Sequence, residues 1–139
     1  MRDYLFRGKV TDDYYIKEMR GTWVEGNLVH QTEYYGMSVD KYHILYTGEF
    51  HVDYYDAATV IPETVGQWTG LLDKNGKRIF EDDIIRDEWG RTKVVQFLNG
   101  YYYPFIAFPE FNCWSEDECE VVGNVTDNSD LLQLQRLED

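Results

Sequence analysis

Three side chains that can bind a divalent metal stand at alternate positions near the middle of the chain. Glu49, His51 and Asp53 are separated by single residues, and alternate side chains of a β-strand project from the same face of a sheet. The set is similar to the facial triad of non-haem iron sites, but that triad requires two histidines and one carboxylate. The remaining histidines, His30 and His43, have no defined position relative to this strand. We interpret the three residues as a polar strand face and predict neither a metal nor another cofactor.

Nucleophilic catalysis has little support in the sequence. Ser38 and His43 are the closest serine and histidine, but no glycine elbow surrounds the serine and no acidic residue completes a recognisable motif. The glycine-rich phosphate-binding patterns G-x-x-x-x-G-K-[ST] and G-x-G-x-x-G are absent from the sequence. We therefore predict that the protein is not an enzyme.

The best candidate for a partner-binding site is an acidic segment near residues 110–120 that also carries two large aromatic residues. Its carboxylates could steer a basic partner towards the surface, and its aromatic rings could anchor the contact. The candidate residues are Glu110, Phe111, Trp114, Glu116, Asp117 and Glu118. The alternative is a solvated connection between two strands, in which Phe111 and Trp114 close the end of a barrel.

The charge of the chain argues against direct contact with nucleic acid. The sequence has 26 acidic and 13 basic residues, a formal net charge of −13, and its basic residues are scattered. Affinity for a phosphate backbone depends on clustered lysine and arginine. The acidity fits a basic protein partner or imitation of DNA, although solubility alone explains it more simply.

Several groups of tyrosines could form aromatic surfaces. Residues 101–105, Tyr-Tyr-Tyr-Pro-Phe, resemble the base-stacking residues of an oligonucleotide-binding barrel, but no basic groove accompanies them. Strand alternation therefore predicts that Tyr102 and Pro104 face outward while the other rings enter the core. The Tyr-Tyr pairs at 34–35 and 54–55 could support self-association through an exposed patch, or they could pack within strands. Exposed strand edges would also favour a homo-oligomer.

The sequence carries no export or membrane signal. No apolar run approaches the roughly 18–20 residues of a membrane-spanning helix, and the N-terminus lacks the apolar region of a signal peptide. We therefore expect a cytosolic protein without a membrane anchor, in which Cys113 and Cys119 stay reduced. The spacing of the two cysteines is not that of a C-x-x-C redox pair.

The elements that must position these residues are short β-strands. Aromatic residues make up 17% of the chain, and aromatic and β-branched residues favour strands. Asn-Gly pairs at 75–76 and 99–100 predict tight hairpins, the first with a type I′ turn that needs positive φ at both central residues. After the last strand, Asn128 or Ser129 can cap a helix over residues 130–137. Short strands joined by hairpins are typical of a small barrel or roll.

Four segments of the chain carry a pattern that can be compared with known families. They are DYLFRGK at 3–9, GTWVEGNLV at 21–29, QWTGLLDKNGK at 67–77 and CEVVGNVTDN at 119–128. In this order they resemble the motifs of the YopX family, small proteins encoded by phages and prophages of Gram-positive bacteria. One difference stands out, because Asp82 occupies a position at which the family favours glycine. A left-handed backbone residue or a bulge could be lost there.

The resemblance implies a mostly β fold with an SH3-like barrel, and it brings no known catalytic residues. We expect one YopX-like domain, with an N-terminal β lobe or extension at residues 1–59, the barrel or roll at 60–127 and a short C-terminal helix at 128–139. The predicted function is that of a phage or prophage accessory protein, a non-enzymatic module that binds a host or phage protein in the bacterial cytosol. The alternative is a nucleic-acid-associated barrel that acts within a larger complex.

Overall fold

The computed structural model of the chain describes residues 5–46, 56–98, 101–104 and 118–132. More than half of these residues lie in β-strands, and the strands pair antiparallel, which confirms the prediction of a mostly β protein. The strands are β1 (Phe6–Lys9), β2 (Trp23–Tyr34), β3 (Ser38–Tyr46), β4 (Asp56–Val60), β5 (Gly66–Leu72), β6 (Arg78–Phe80), β7 (Asp83–Arg86), β8 (Thr92–Val94), β9 (Gln96–Leu98), β10 (Tyr101–Tyr103) and β11 (Glu120–Asn124). Short 3-10 helices span Lys17–Met19 and Pro62–Thr64.

The predicted C-terminal helix is present, and it begins at residue 129 and continues to residue 132 at the end of the described ranges. No helix within those ranges is long and apolar enough to cross a membrane. The chain divides into two compact units, Met1–Gln67 and Trp68–Asp139, and β5 runs from the first into the second. The SH3-like barrel and the limits 1–59, 60–127 and 128–139 stay predictions.

The first unit is built on a meander of four strands. β1 pairs with β2, β2 with β3 and β3 with β4, all antiparallel, and β1 also pairs with the beginning of β5. An isolated bridge between Val10 and Val60 ties the segment after β1 to the end of β4. The buried core of this unit consists of Val10, Tyr14, Val24, Ile44, Ala58 and Val60.

Two glycines permit the close approach of strands around this core. A Cβ atom at Gly26 on β2 would collide with the backbone carbonyl oxygen of Leu45 on β3, which cannot move without disturbing the β2–β3 ladder. A Cβ atom at Gly8 on β1 would lie 2.8 Å from the Cβ of Val60. Both positions therefore require a residue without a side chain.

The second unit contains the end of β5 and the six strands that follow. β5 pairs with β6, β7 pairs with both β8 and β11, and β9 pairs with β10, all antiparallel. The buried core of this unit consists of Ile79, Ile85, Val95, Cys119 and Val121. Cys113, the second cysteine of the sequence, lies outside the described residues.

The β9–β10 hairpin confirms the strand pairing predicted across residues 99–100, but the predicted orientation of two of its residues is wrong. Pro104 is buried. Tyr102 is half-buried against the core of the second unit, and its ring centroid lies 5.0 Å from that of Phe97. Strand alternation puts Tyr102 and Pro104 on one face, as expected, but that face is the one turned towards the core.

The type I′ turn predicted at Asn75 and Gly76 is also wrong, although the β5–β6 hairpin itself is present. Gly76 has a φ of +82°, but Asp82 is the only non-glycine residue with positive φ in the described ranges. Asn75 therefore lacks the conformation that a type I′ turn requires. The carboxylate of Asp73 accepts hydrogen bonds from the backbone N–H groups of Asn75 and Lys77, both at 2.9 Å. These bonds favour the other common hairpin connection, in which a turn with negative φ is followed by a left-handed glycine.

Asp82 keeps a left-handed conformation, with φ of +67°, at the position where glycine is the expected residue. Its N–H donates to the carbonyl oxygen of Val95 at 2.9 Å, and its own carbonyl oxygen accepts from the N–H of Val125 at 2.9 Å. A left-handed residue other than glycine costs about 1–2 kcal/mol, less for aspartate than for most side chains. The two backbone hydrogen bonds hold this conformation in spite of that cost.

Candidate protein-binding surface

Most of the residues considered above as a partner-binding or metal site lie outside the residues that the structure describes. They are Glu49, His51, Asp53, Glu110, Phe111, Trp114, Glu116 and Asp117. Glu118 is described, and it is an exposed turn residue directly before Cys119. Within the described part of the chain, no three His, Cys, Asp or Glu side chains lie close enough together to hold a metal ion.

The closest serine and histidine of the sequence do not form a catalytic pair. Ser38 and His43 lie on the same strand, β3, at positions separated by roughly 16 Å of extended chain. Both ring nitrogens of His43 have neighbours, because Nδ1 lies 3.0 Å from Oγ1 of Thr59 and Nε2 lies 3.2 Å from Oε1 of Gln31. The imidazole therefore belongs to a polar row that crosses β2, β3 and β4.

Three large side chains of the first unit are exposed together at the tip of the β2–β3 hairpin. Tyr34, Tyr35 and Met37 are 79%, 74% and 70% exposed, and Val29 and Val39 on the adjoining strands are also exposed. We call residues 29–41 the hairpin arm. Of the two interpretations of the tyrosines at 34–35, the exposed patch is the correct one. The pair at 54–55 lies outside the described residues.

Within the described ranges, the hairpin arm extends beyond the strands on either side of it. On one side, the last β1–β2 pair joins Phe6 to Gly26. On the other side, β4 leaves β3 after the pair between Tyr42 and Val60. Within the described ranges, residues 38–41 of β3 therefore pair with β2 along one edge and with no strand along the other. Such an edge presents backbone N–H and C=O groups to any further strand.

The charged side chains of the hairpin arm are paired with one another. Nζ of Lys41 lies 3.2 Å from Oε2 of Glu33. Oδ1 of Asp40 lies 3.0 Å from Nε2 of His30 and accepts a hydrogen bond from the hydroxyl group of Thr32, also at 3.0 Å. The hydrogen bonds from His30 and Thr32 hold the pKa of Asp40 below its ordinary value. The exposed aromatic tip is thus carried by strands on which each carboxylate has a polar neighbour.

A groove with a volume of about 780 Å³ lies beside the base of the hairpin arm. Its lining includes residues 40–43 of β3, Tyr15 and Thr11 from the segment that follows β1, and Pro62 just beyond the end of β4. Tyr15 is 77% exposed. The hydroxyl oxygen of Thr11 is buried and has no hydrogen-bond partner in the described part of the chain. The groove therefore opens next to the point at which β4 leaves the edge of β3.

A second exposed aromatic residue, Trp89, lies at the tip of the β7–β8 hairpin in the second unit and is 67% exposed. Oδ1 of Asp87 accepts hydrogen bonds from the N–H groups of Trp89 and Arg91 at 3.0 and 2.8 Å, and the Arg91 guanidinium lies 5.1 Å from the indole centroid. Trp89 is absent from the predicted sites. The signal that could have placed it at a hairpin tip is the Asp-x-x-Gly-Arg spacing, which repeats the Asp-x-x-Gly-Lys pattern of residues 73–77.

Asp73 shows what the motif at residues 67–77 contributes to the structure. Besides the loop N–H groups, its carboxylate accepts a hydrogen bond at Oδ2 from the N–H of Val121 on β11, at 2.9 Å. Burial raises the pKa of Asp73, but the hydrogen bonds from Val121 and from the loop backbone, with the charge of Lys77, outweigh burial and leave the pKa lowered. A single carboxylate therefore joins the β5–β6 hairpin to β11.

Two further glycines of the family-like motifs also serve the backbone. Gly70 has a φ of +87° and lies where β5 shifts its register against β6. Gly123 lies against the side chain of Asn128, and a Cβ atom there would collide with that amide. The same amide oxygen accepts a hydrogen bond from the N–H of Asn124 at 3.1 Å. The motif residues seen in the structure are therefore used for turns and strand contacts.

The chain is similar to a known protein family and to a solved structure. The chain matches the family described as YopX protein over residues 6–133. The crystal structure of protein EF1440 from Enterococcus faecalis is 21% identical in sequence and aligns with 95% of this chain and 99% of its own, with a TM-score of 0.49. No curated protein matches the sequence.

Proposed function

The chain belongs to the YopX family, and on that premise we propose that it is a phage or prophage accessory protein that binds another protein and has no enzymatic activity. Its place of action in this proposal is the cytosol of the bacterial host. The binding surface is the hairpin arm. The observation that carries the proposal is the joint exposure of Tyr34, Tyr35 and Met37 at one hairpin tip.

The tip of the hairpin arm has the composition of an interface core. Aromatic residues and methionine are enriched where protein–protein interfaces are fully buried. Burial of a large apolar side chain contributes about 1.5–3 kcal/mol, so three such side chains offset a large part of the cost of association. The strands below the tip are paired from Asn27–Leu45 to Tyr34–Ser38, and this pairing limits the ordering that binding must still bring about.

A non-enzymatic role is supported by the use that the chain makes of its family motifs. Asp73 holds a loop and a strand together, Gly70 lies at a register shift, and Gly123 makes room for Asn128. Each of these residues acts on the backbone. A family recognised by such residues is recognised by its fold, and the function is then carried by surfaces between the motifs.

The acidic segment predicted from the sequence remains a second candidate contact. Its carboxylates, with Trp114 as the aromatic anchor, would add an electrostatic contribution for a basic host or phage protein. Trp114→Ala in an otherwise unchanged chain separates this contact from that of the hairpin arm. Loss of partner with this variant and not with an arm variant would move the binding surface to residues 110–118.

The test is capture of a partner by the tagged full-length chain from nuclease-treated lysate of host cells that also express the untagged chain, washed at about 300 mM salt so that weak electrostatic contacts are removed. The test variant is Tyr34→Ser/Tyr35→Ser/Met37→Ser, and the matched control is Trp89→Ser, which removes an exposed aromatic residue from the other unit. We expect the arm variant to recover roughly 30-fold less partner, as for the loss of an interface hot spot, and the control to recover the same amount. Equal recovery by both variants, with unchanged circular dichroism, would refute the assignment to the arm.

A further inference from the structure

We infer that the protein bound by the hairpin arm is a second copy of this chain, which joins its own β3 edge to the edge at residues 38–41. The inference rests on the proposed function, because it names the partner of the same surface. The two β3 strands run antiparallel about a two-fold axis, and the tip of each arm enters the groove of the other copy.

Charge restricts the surface through which two copies can meet. Each copy carries a formal net charge of −13, so repulsion opposes association unless the contact is made by a nearly neutral surface. The hairpin arm contains only two acidic residues and one lysine. Glu33 lies 3.2 Å from Lys41, and Asp40 lies 3.0 Å from His30. Two acidic residues and one lysine leave the arm with a formal charge of −1. An identical arm therefore meets little repulsion, whereas a basic partner would gain little from this surface.

The exposed edge and the alternation of side chains together select one register. A two-fold axis perpendicular to the sheet keeps side chains of one face on the same side. Around residues 38–41, the axis can therefore pass through any one of the four residues and place it opposite the same residue of the second copy. Asp40 or Lys41 on the axis would place like charges directly opposite each other, which is destabilising, and Ser38 on the axis would pair only that residue within both β3 strands. The axis accordingly passes through Val39.

This register carries the tip of one arm to the groove of the other copy. With Val39 on the axis, Met37 of the second copy lies opposite Lys41. The edge beside the next residue, Tyr42, is already paired with Val60 of β4, so the turn that precedes Met37 leaves the plane of the sheet there. Lys41 and Tyr42 line the groove together with Tyr15 and Pro62. The groove volume of about 780 Å³ falls in the range that encloses a drug-sized ligand, enough for the side chains of a hairpin tip. The exchange is reciprocal, so each copy supplies one tip and one groove.

The first measurement is the oligomeric state of the full chain by analytical ultracentrifugation, from about 1 to 300 µM, because a short edge with two tips makes a small and concentration-dependent interface. We expect the dimer to strengthen as salt rises from about 20 to 300 mM, since salt screens the repulsion between two acidic chains. A contact with a basic partner would show the opposite dependence. A monomer throughout this range of concentration and salt would overturn the inference.

The second measurement tests the register. In a Cys113→Ser background, Val39→Cys should give an intermolecular disulfide on mild oxidation, because directly opposite residues of an antiparallel pair lie about 4.5–5.5 Å apart at Cα, within disulfide range. Lys41→Cys, on the same strand and face, should not.

Val39→Asp should weaken the dimer at least about 10-fold by opposing two carboxylates, and Trp89→Ser should leave it unchanged. Cross-linking by Lys41→Cys instead of Val39→Cys would overturn the register.

The two proposals fail in different ways. If the chain stays monomeric while the Tyr34→Ser/Tyr35→Ser/Met37→Ser variant still loses a captured host or phage protein, the second copy is not the partner and the proposed function stands. If that variant changes neither the oligomeric state nor the capture of a partner, the hairpin arm is not a binding surface and both proposals are wrong.

Discussion

The hairpin arm and the β5–β6 hairpin are built on the same kind of antiparallel ladder but are completed in opposite ways. The loop of the β5–β6 hairpin turns its key carboxylate, Asp73, inward, where it is 6% exposed and accepts three backbone hydrogen bonds. The hairpin arm turns its tip outward, with Tyr34 at 79% exposure, and its carboxylate Asp40 is bound to side chains at the surface. The loop of the β5–β6 hairpin is held by hydrogen bonds within its own chain, whereas the tip of the hairpin arm leaves apolar side chains exposed to solvent.

The position of the family-like motifs follows the same division. The motif at residues 67–77 contains the loop of the β5–β6 hairpin, whereas the motif at residues 21–29 stops where the hairpin arm begins. A buried carboxylate that joins two elements admits few replacements, since its loss leaves several N–H groups without a partner. An exposed tip admits many. The motifs of this chain therefore contain the residues that the fold requires and do not include the proposed binding surface.

The strongest test of this division is removal of the inward carboxylate. Asp73→Ala leaves the N–H groups of Asn75, Lys77 and Val121 without their acceptor, and we expect it to lower the free energy of unfolding by about 3 kcal/mol. Urea denaturation followed by tryptophan fluorescence measures the change. A loss below about 1 kcal/mol would show that water replaces the carboxylate and that the two hairpins differ less than the structure indicates.

The loop of the β7–β8 hairpin has a carboxylate that is bound in part like Asp73. Asp87 accepts two loop N–H groups as Asp73 does, but its second oxygen binds the side chain of Arg91 at 2.6 Å, where Asp73 binds the backbone of β11. Asp87→Ala should therefore cost about 1–2 kcal/mol, less than Asp73→Ala. Denaturation under the same conditions ranks the two variants, and the reverse order would mean that the contact with β11 adds nothing.

The pH dependence of stability should separate the inward carboxylate from the outward one, with a smaller effect than either alanine substitution. The pKa of Asp73 is lowered in the folded chain, so its ionised form stabilises the fold fully above the unfolded value near 3.9, and this contribution is lost as pH falls through the lower folded pKa. The difference in unfolding free energy between the unsubstituted chain and Asp73→Asn should therefore shrink below about pH 4.

The matched control for that titration is Asp40→Asn. Asp40 also has a lowered pKa, but it lies at the surface and its hydrogen-bond partners are side chains that water can replace. Its substitution should therefore alter the pH profile of stability much less than Asp73→Asn does. A pH profile altered as strongly by Asp40→Asn as by Asp73→Asn would remove the distinction between the two hairpins.

The smallest effect on stability is expected at the tip of the hairpin arm. Tyr34→Ser/Tyr35→Ser/Met37→Ser should change the unfolding free energy by less than about 0.5 kcal/mol, because exposed side chains lose little on truncation, although it removes the proposed binding surface. Thermal melting of dilute protein, where association is absent, checks this. A large loss of stability would place the tip within the fold and end its interpretation as a docking surface.

Local sequence pattern predicted the strands of this chain far better than the loops between them. Alternation and Asn-Gly pairs place strands on both sides of residues 75–76 and 99–100, but the turn type at 75–76 is wrong because the Asn-Gly pattern leaves out Asp73, whose carboxylate accepts the N–H groups of Asn75 and Lys77. A pattern of two residues cannot contain that acceptor. Tyr102 shows the same limit. Alternation predicts that Tyr102 and Pro104 lie on one face of the sheet, but it does not show which of the two faces is covered by the core.

The candidate binding surface was less predictable for a related reason. Whether Tyr34 and Tyr35 are exposed depends on where the pairing with the neighbouring strands ends. In the described ranges, this pairing ends at Phe6 of β1 and at Val60 of β4, and both residues are far from the arm in sequence. The acidic segment was predictable as a candidate because its composition is unusual. Trp89 was detectable only by noticing that Asp-x-x-Gly followed by a basic residue occurs twice.

That repetition has a consequence for engineering. Both loops hold a left-handed glycine three residues after the aspartate, with φ of +82° at Gly76 and +81° at Gly90. The residues that precede these glycines, Asn75 and Trp89, therefore occupy equivalent positions of the two loops. Exchanging Asn75 and Trp89 should transplant the indole from one hairpin to the other without rebuilding either backbone. The second unit thereby offers two similar loop positions at which a fluorophore, a spectroscopic probe or a chosen recognition side chain can be introduced.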